Sequence, residues 1–252
     1  MLLTITLLQL ANITLVGVLL FLGFRFIEMN WSYKISKPNF WEEAIKEKKI
    51  SKKLRNIERF YRDKVRFYNF WFQINRLQKE SIPGAFAEVG VYKGETARMI
   101  HTMDNSRVFH LFDTFEGFDK RDIDVESSPD LNHSIDFSDT TVESVISFIE
   151  GNDNIIAHKG YFPETVSAVQ DTNFALVHLD ADLYQPTLAG LNYFYPRLSP
   201  GGIIIIHDYN HHWEGVRKAV DEFANSIPES PIELTDWQGS IMIIKNKSPF
   251  LK

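Results

Sequence analysis

From Leu2 to Phe24 the chain carries no charged side chain and is dense in Leu, Ile, Val and Phe. At ~1.5 Å per residue such a run is long enough to cross the ~30 Å hydrocarbon layer of a bilayer, so it predicts one N-terminal membrane helix. Gln9, Asn12 and three threonines within it also suit the alternative, an apolar helix packed against the domain or a partner. No Lys or Arg precedes the run, which argues against a cleaved signal peptide with its basic leading region. Arg25, Lys34, Lys37, Lys46, Lys48 and Lys49 follow it. Basic flanks stay on the cytoplasmic side, so residues 1–25 are expected to form a single-pass anchor with the rest of the chain facing the cytoplasm.

Residues 26–82 read as a helical neck. Leu54, Ile57, Tyr61, Val65, Tyr68 and Phe72 recur at helical spacing, and Lys52, Lys53, Arg55, Arg59, Arg62, Lys64 and Arg66 supply a basic exposed side. Such a side is ordinarily solvated, and contact with anionic lipid is the alternative. Ser81-Ile82-Pro83-Gly84 breaks the helix and opens a second domain, residues 83–252.

In that domain apolar runs alternate with helical stretches, which predicts an α/β fold with a mainly parallel sheet and helices on both faces. Strands are expected at about 85–89, 107–112, 154–158, 174–179 and 202–206, and later ones near 232–234 and 239–244. The unbroken Ile203-Ile204-Ile205-Ile206 suits a strand covered on both faces. Helices are expected near 95–103, 139–150, 186–195 and 214–225; Thr140 with Glu143 fits a capping box and Pro186 a first helical position. Residues 119–138, polar, acidic and weakly periodic, predict a mobile loop over the site.

Composition narrows the functions. The chain has 252 residues and 44% hydrophobic content, enough for one sizeable core plus an appendage. A net charge of -6 gives no overall attraction to a phosphate backbone, which sets nucleic acid aside as a partner. The absence of cysteine excludes disulfides, thiolate metal sites and cysteine nucleophiles.

The candidate chemistry lies at the predicted strand ends. Glu88-Val89-Gly90 ends the first strand and turns through Gly94 into a helix, which lets a ligand approach the backbone closely and places an acid beside it. The second strand ends at Asp113, where nucleotide-binding folds put an acid against ribose hydroxyls; a turn cap within Asp113-Thr114-Phe115-Glu116-Gly117 is the alternative. The fourth strand delivers Asp180-Ala181-Asp182 and the fifth His207-Asp208. If these strands are neighbours ~4.8 Å apart, Asp180, Asp208 and, as a third group, His207 converge on a divalent-metal site. Carboxylates with water suit Mg²⁺, and a histidine ligand shifts the preference toward Mn²⁺ or Fe²⁺.

Taken in order, these blocks resemble the macrocin O-methyltransferase family, metal-dependent enzymes that methylate sugar hydroxyls of macrolides and other glycosides. The resemblance covers roughly residues 60–245. It runs from Ile82-Pro83-Gly84 and Glu88-x-Gly90-x-x-x-Gly94 through Asp113-Thr114-Phe115-Glu116-Gly117 and Lys159-Gly160-Tyr161-Phe162-Pro163-Glu164-Thr165. It continues with Leu179-Asp180-Ala181-Asp182-Leu183-Tyr184 and Leu198-Ser199-Pro200-Gly201-Gly202, and ends at His207-Asp208-Tyr209. The resemblance implies a Rossmann-like, doubly wound, seven-stranded class I methyltransferase sheet. It implies that Glu88, Gly90, Gly94 and Asp113 bind S-adenosylmethionine, that Asp180 and Asp208 hold the metal, and that Asp182 is the general base. Where the family commonly has an aspartate before the one matching Asp208, this chain has His207, and the hydrophobic N-terminal run lies outside the family pattern.

The expected reaction is methyl transfer to the hydroxyl of a sugar or glycoside, with lipid-linked sugars among the acceptors and a homo-oligomer compatible with the chain. Tyr161, Tyr184, Tyr209, His211 and His212 are expected around the acceptor. Two other readings remain: a membrane-anchored glycosyltransferase using Asp180-x-Asp182, disfavoured by basic residues after rather than before the anchor, and a non-catalytic scaffold, disfavoured by the three clustered aspartates.

Overall fold

The computed structural model describes residues 6–32, 37–126, 137–169, 173–211 and 213–247. The chain divides into two compact units between Lys49 and Ile50. The first contains helices α1 (Leu7–Ser32) and α2 (Asn39–Lys46). Within α1, Leu7–Ile27 has a mean hydropathy of 2.1 and its most apolar stretch buries nothing. Length and composition suffice for a membrane span, as they would for a signal sequence. Lys34, one of the basic flanking residues, lies outside the described residues.

In the second unit, helices α3 (Lys52–Phe60) and α4 (Lys64–Lys79) precede strand β1 (Ala85–Val89), α5 (Glu95–Met103), β2 (Phe109–Asp113), α6 (Lys120–Ile123) and α7 (Val142–Ile149). Then come β3 (Ile155–Lys159), a 3-10 turn at Glu164–Val169, β4 (Phe174–Leu179), α8 (Tyr184–Arg197), β5 (Leu198–Ile206), α9 (Glu214–Ala224), β6 (Ile232–Glu233) and β7 (Ile241–Ile244). The seven strands form one mixed sheet in the order β3-β2-β1-β4-β5-β7-β6. β1 to β5 run parallel, whereas β7 is antiparallel to β5 and to β6. Every residue of β1 and β4 is buried, as expected for central strands covered on both faces. Strand order reverses between β1 and β4, and ligands of such sheets bind in the crevice outside the carboxyl ends at that point.

The neck departs from expectation in an informative way. One continuous stripe through Leu54, Ile57, Tyr61, Val65, Tyr68 and Phe72 does not form, because the chain breaks between α3 and α4, where the Asp63 carboxylate caps α4 by accepting from the Arg66 main-chain N–H at 2.9 Å. Restarted there, α4 buries Phe67, Phe70, Trp71, Ile74 and Leu77 together with Tyr68 of the expected stripe, and it buries Arg66 as well. Arg66 therefore does not belong to the exposed basic side.

Two expected caps are also corrected. The capping box of α7 uses Thr141 and Ser144, because the Thr140 hydroxyl is engaged with the Tyr92 carbonyl at 2.9 Å. Pro186 is the third residue of α8, where its missing N–H still costs no intrahelical bond. Of the loop expected over 119–138, Lys120–Ile123 is helical and residues 127–136 lie outside the described residues.

Candidate active site

The carboxyl edge of the sheet is pinned by main chain. Gly90 N–H donates to the Phe112 carbonyl at 3.0 Å, Asp180 N–H to Val89 at 2.8 Å and His207 N–H to Leu179 at 2.9 Å. Each residue just past a strand is thus hung from the last carbonyls of its neighbour. Gly90 has φ +82°, and a Cβ there would lie 2.0 Å from the Asp180 carbonyl oxygen, so no larger residue fits. Gly94, at φ 80°, is the N-cap of α5. A cavity of about 420 Å³ opens above this edge, within the roughly 300–1,000 Å³ usual for small-molecule sites. Glu88, Gly90, Asp113, Asp180, Asp182, His207 and Asp208 line it, as does Arg66. Gly94 does not; it shapes the turn behind the cavity.

Asp113 is already engaged with main chain. Its Oδ2 accepts from Val91 N–H at 2.6 Å and Tyr92 N–H at 2.9 Å, and its Oδ1 from Phe115 N–H at 2.6 Å. The acid therefore builds the glycine turn that shapes the cavity, and it is itself part of the cavity lining. Glu88 is 1% exposed. Parallel register sets it beside His178, whose Nδ1 lies 2.8 Å from Glu88 Oε1, while Oε2 is buried without a partner. Burial, and after it the negative charge of Asp180, pushes the Glu88 carboxyl well above its ordinary range.

Arg66 reaches the acidic cluster from α4 and contacts Asp180 and two histidines. Its guanidinium lies 2.7 Å from Asp180 Oδ2, 2.9 Å from His178 Nε2 and 2.9 Å from His207 Nε2. A guanidinium only donates, so both histidine Nε2 atoms accept and both rings carry their proton on Nδ1. The Nδ1–H of His207 faces Asp180 Oδ1 and Asp208 Oδ2, each at 2.9 Å. Burial, and the charge of Arg66, lower the proton affinity of His207 while Asp180 and the hydrogen bonds to Asp180 and Asp208 raise it; because the guanidinium N–H faces Nε2, the proton the ring holds is the one on Nδ1. Burial alone would raise Asp180, yet His207 and Arg66 hold it well below the carboxylate range. Asp182 goes the other way: burial first, then the charges of Asp208 and Asp180, raise it well above. Asp182 (φ 60°) and Asp208 (φ 58°) both take the left-handed conformation, which is uncommon for non-glycine residues and better tolerated by Asp than by most.

One ligating atom each from Asp180, His207 and Asp208 falls within 4.8 Å of the others, the convergence anticipated from the strand ends. Gln238, from the loop before β7, donates to Asp208 Oδ1 at 3.3 Å. Of the aromatic and histidine side chains expected near an acceptor, Tyr161 lines the cavity. Tyr184 and Tyr209 turn away to Glu222 and Asp221, His211 stands 3.8 Å from Asp208, and His212 lies outside the described residues. Sequence reasoning missed Arg66, His178 and Gln238.

The comparisons agree with this architecture. The chain is 28% identical over 156 residues to the 8-demethyl-8-(2,3-dimethoxy-alpha-L-rhamnosyl)-tetracenomycin-C 4'-O-methyltransferase of Streptomyces olivaceus, spanning 57% of the chain and 60% of that relative. It is 28% identical over 190 residues to the Mycinamicin III 3''-O-methyltransferase of Micromonospora griseorubida, spanning 69% and 74%. Among solved structures, the O-methyltransferase NovP superposes with a TM-score of 0.63 at 21% identity, covering 73% of this chain and 81% of that one, a likeness of fold. The Macrocin-O-methyltransferase (TylF) family model matches residues 44–242, from the end of α2 into β7. The chain therefore belongs to the macrocin O-methyltransferase (TylF) family, whose members are S-adenosylmethionine-dependent O-methyltransferases.

Proposed function

We propose that this chain transfers a methyl group from S-adenosylmethionine to a hydroxyl of a sugar or glycoside, assisted by a divalent cation. One observation carries the reading: Asp180, Asp182 and Asp208 gather at the ends of β4 and β5, in the same cavity as the glycine turn of β1. The relatives in Streptomyces olivaceus and Micromonospora griseorubida, named for methylation of glycosylated compounds, support a sugar acceptor.

The cofactor fits the cavity at the β1 turn. Gly90 lines that part of the cavity, Glu88 Oε2 is a buried polar atom without a partner, and Asp113 holds the turn in shape. S-adenosylmethionine supplies an electrophilic methyl group there. The cation fits the second cluster: carboxylate oxygens of Asp180 and Asp208 suit Mg²⁺, and His207 is the third group within reach. A bound divalent ion supplies Lewis-acid polarisation of the acceptor hydroxyl. Asp182, whose proton affinity is raised by burial and by Asp208 and Asp180, is suited to take the proton of an alcohol. For Asp182 to begin ionised, positive charge has to stand near it, and the Arg66 guanidinium, paired with Asp180, acts in that direction. Residues lining the cavity would fix the acceptor against the methyl group, and positioning of this kind is worth up to about 7–11 kcal/mol.

Residues 83–252 form the catalytic domain in this reading, with residues 26–82 a neck that contributes Arg66 to it. Helix α1 serves as a single-pass anchor for residues 1–25, with catalysis on the cytoplasmic side and a lipid-linked sugar as a natural acceptor. Recovery of the full-length chain in the soluble fraction after alkaline carbonate extraction of membranes would remove the anchor from this account.

Function is tested with purified full-length protein by calorimetry against S-adenosylmethionine and against nucleotide sugars, then by mass spectrometry of glycolipid extracts for the gain of one methyl group. Binding of the nucleotide sugar alone would overturn the proposal. Asp182→Asn is expected to lower turnover about 10²–10⁴-fold while S-adenosylhomocysteine still binds. Loss of both would show that Asp182 is a structural or cofactor-binding residue.

A further inference from the structure

We propose that Arg66 sets the metal selectivity of the site, by holding His207 so that its Nδ1 is a hydrogen-bond donor to Asp180 and Asp208 rather than a metal ligand. The inference rests on the divalent-cation reading above. One potential ligand atom each of Asp180, His207 and Asp208 lies within 4.8 Å of the others at the ends of β4 and β5. Ligation by imidazole Nδ1 needs a lone pair on that atom, which moves the ring proton to Nε2. Nε2 faces a guanidinium N–H at 2.9 Å, and two donors cannot share that contact. Arg66 has little freedom to withdraw: it is 8% exposed, and the same guanidinium is held by Asp180 at 2.7 Å and by His178 at 2.9 Å. His178 is held in turn by Glu88, its neighbour across the β1–β4 ladder.

The consequence is a site that offers oxygen only. It favours hard cations such as Mg²⁺ over ions that gain from a nitrogen ligand, although His207 stands where a nitrogen ligand would be. Arg66 is thus a positioning residue, acting through the orientation of another ring. A glutamine at this position offers an acceptor for Nε2–H and frees Nδ1, converting the site to mixed nitrogen and oxygen ligation.

The probe is Mn²⁺, with electron spin echo modulation reporting directly coordinated ¹⁴N. Wild-type protein is expected to bind Mn²⁺ without a directly coordinated imidazole nitrogen. Arg66→Gln is expected to show one, with Co²⁺ affinity relative to Mg²⁺ rising by about tenfold or more. The double variant Arg66→Gln/His207→Asn should lose both changes, and Arg66→Lys, which keeps a donor, should remain wild-type-like. A ¹⁴N signal in the wild type overturns the inference even if no variant folds, and so does an unchanged Co²⁺ to Mg²⁺ ratio in folded Arg66→Gln. Absence of any Mn²⁺ binding in wild type and variants would instead remove the cation reading itself, and this inference with it.

Discussion

Gly90→Ala tests the junction on which the site is built. At φ +82° an L side chain is strained by about 1–2 kcal/mol. The added Cβ would also meet the Asp180 carbonyl oxygen at 2.0 Å and its carbon at 2.6 Å. These are main-chain atoms of a central strand end, hydrogen-bonded to Val89, so they cannot rotate aside as a side-chain tip would. Relief requires β1 and β4 to part by about 1 Å, and overpacking of that sort costs about 1–3 kcal/mol. The two contributions together give about 2–5 kcal/mol. For a unit of this size that is a fall of roughly 5–20 °C in melting temperature. Because the clash pushes on Asp180 itself, affinity for S-adenosylhomocysteine and for Mg²⁺ should fall together. Thermal unfolding followed by circular dichroism, with calorimetric titration of each ligand, measures all three quantities. Gly17→Ala, with nothing within 4 Å of its added Cβ, is the control. Wild-type melting in Gly90→Ala, or a loss of cofactor affinity with metal affinity intact, would refute the coupling.

Other outcomes follow from the same contacts. His110 is buried against His158 at 2.9 Å, and burial, with the charge of His158 behind it, lowers its proton affinity from 6.5 to about 4. The unfolded chain therefore takes up the proton first: stability is full above pH ~6.5 and declines as pH falls toward ~4, by at most about 3 kcal/mol from this group. Urea midpoints between pH 7 and pH 4 should fall less steeply for His110→Phe than for wild type, and parallel curves would contradict this account. Asp63→Ala removes the cap of α4 and the acceptor of Trp237 N–H at 2.6 Å. It should cost about 0.5–2 kcal/mol in denaturant unfolding and, by loosening the first turn that carries Arg66, should weaken Mg²⁺ binding. Unchanged Mg²⁺ affinity would mean that Arg66 is held by its guanidinium contacts alone.

Much of the site was legible because strand ends announce themselves. An apolar run closing on Asp180-Ala181-Asp182 or His207-Asp208 shows where the sheet stops and what it presents, and parallel register brings those ends to one edge. What escaped was a matter of phase. The expected stripe runs through Val65, Tyr68 and Phe72; of these Tyr68 is buried, and the packed face continues through Phe67, Phe70, Trp71 and Ile74 rather than through Val65 and Phe72. Counting back by four from Phe70 lands on Arg66, and Asp63 three residues earlier is the cap that restarts the helix there. A long cation on a core-facing stripe signals a buried anionic partner, a signal masked by the basic residues around it. His178 was hidden differently, as one polar residue inside β4, and its role needed the β1 partner Glu88, which only pairing reveals. Gln238 comes from a loop whose path is set by the antiparallel return of β7.

The suspension of Gly90, Asp180 and His207 from the carbonyls of Phe112, Val89 and Leu179 has a consequence for how such a catalyst can diversify. In the function proposed above, the spacing between the donor pocket and the acidic strand ends is set by these main-chain hydrogen bonds, which substitution of side chains leaves untouched. Walls and rims of the pocket are therefore free to be rebuilt for new acceptors while the reach of the methyl group stays constant.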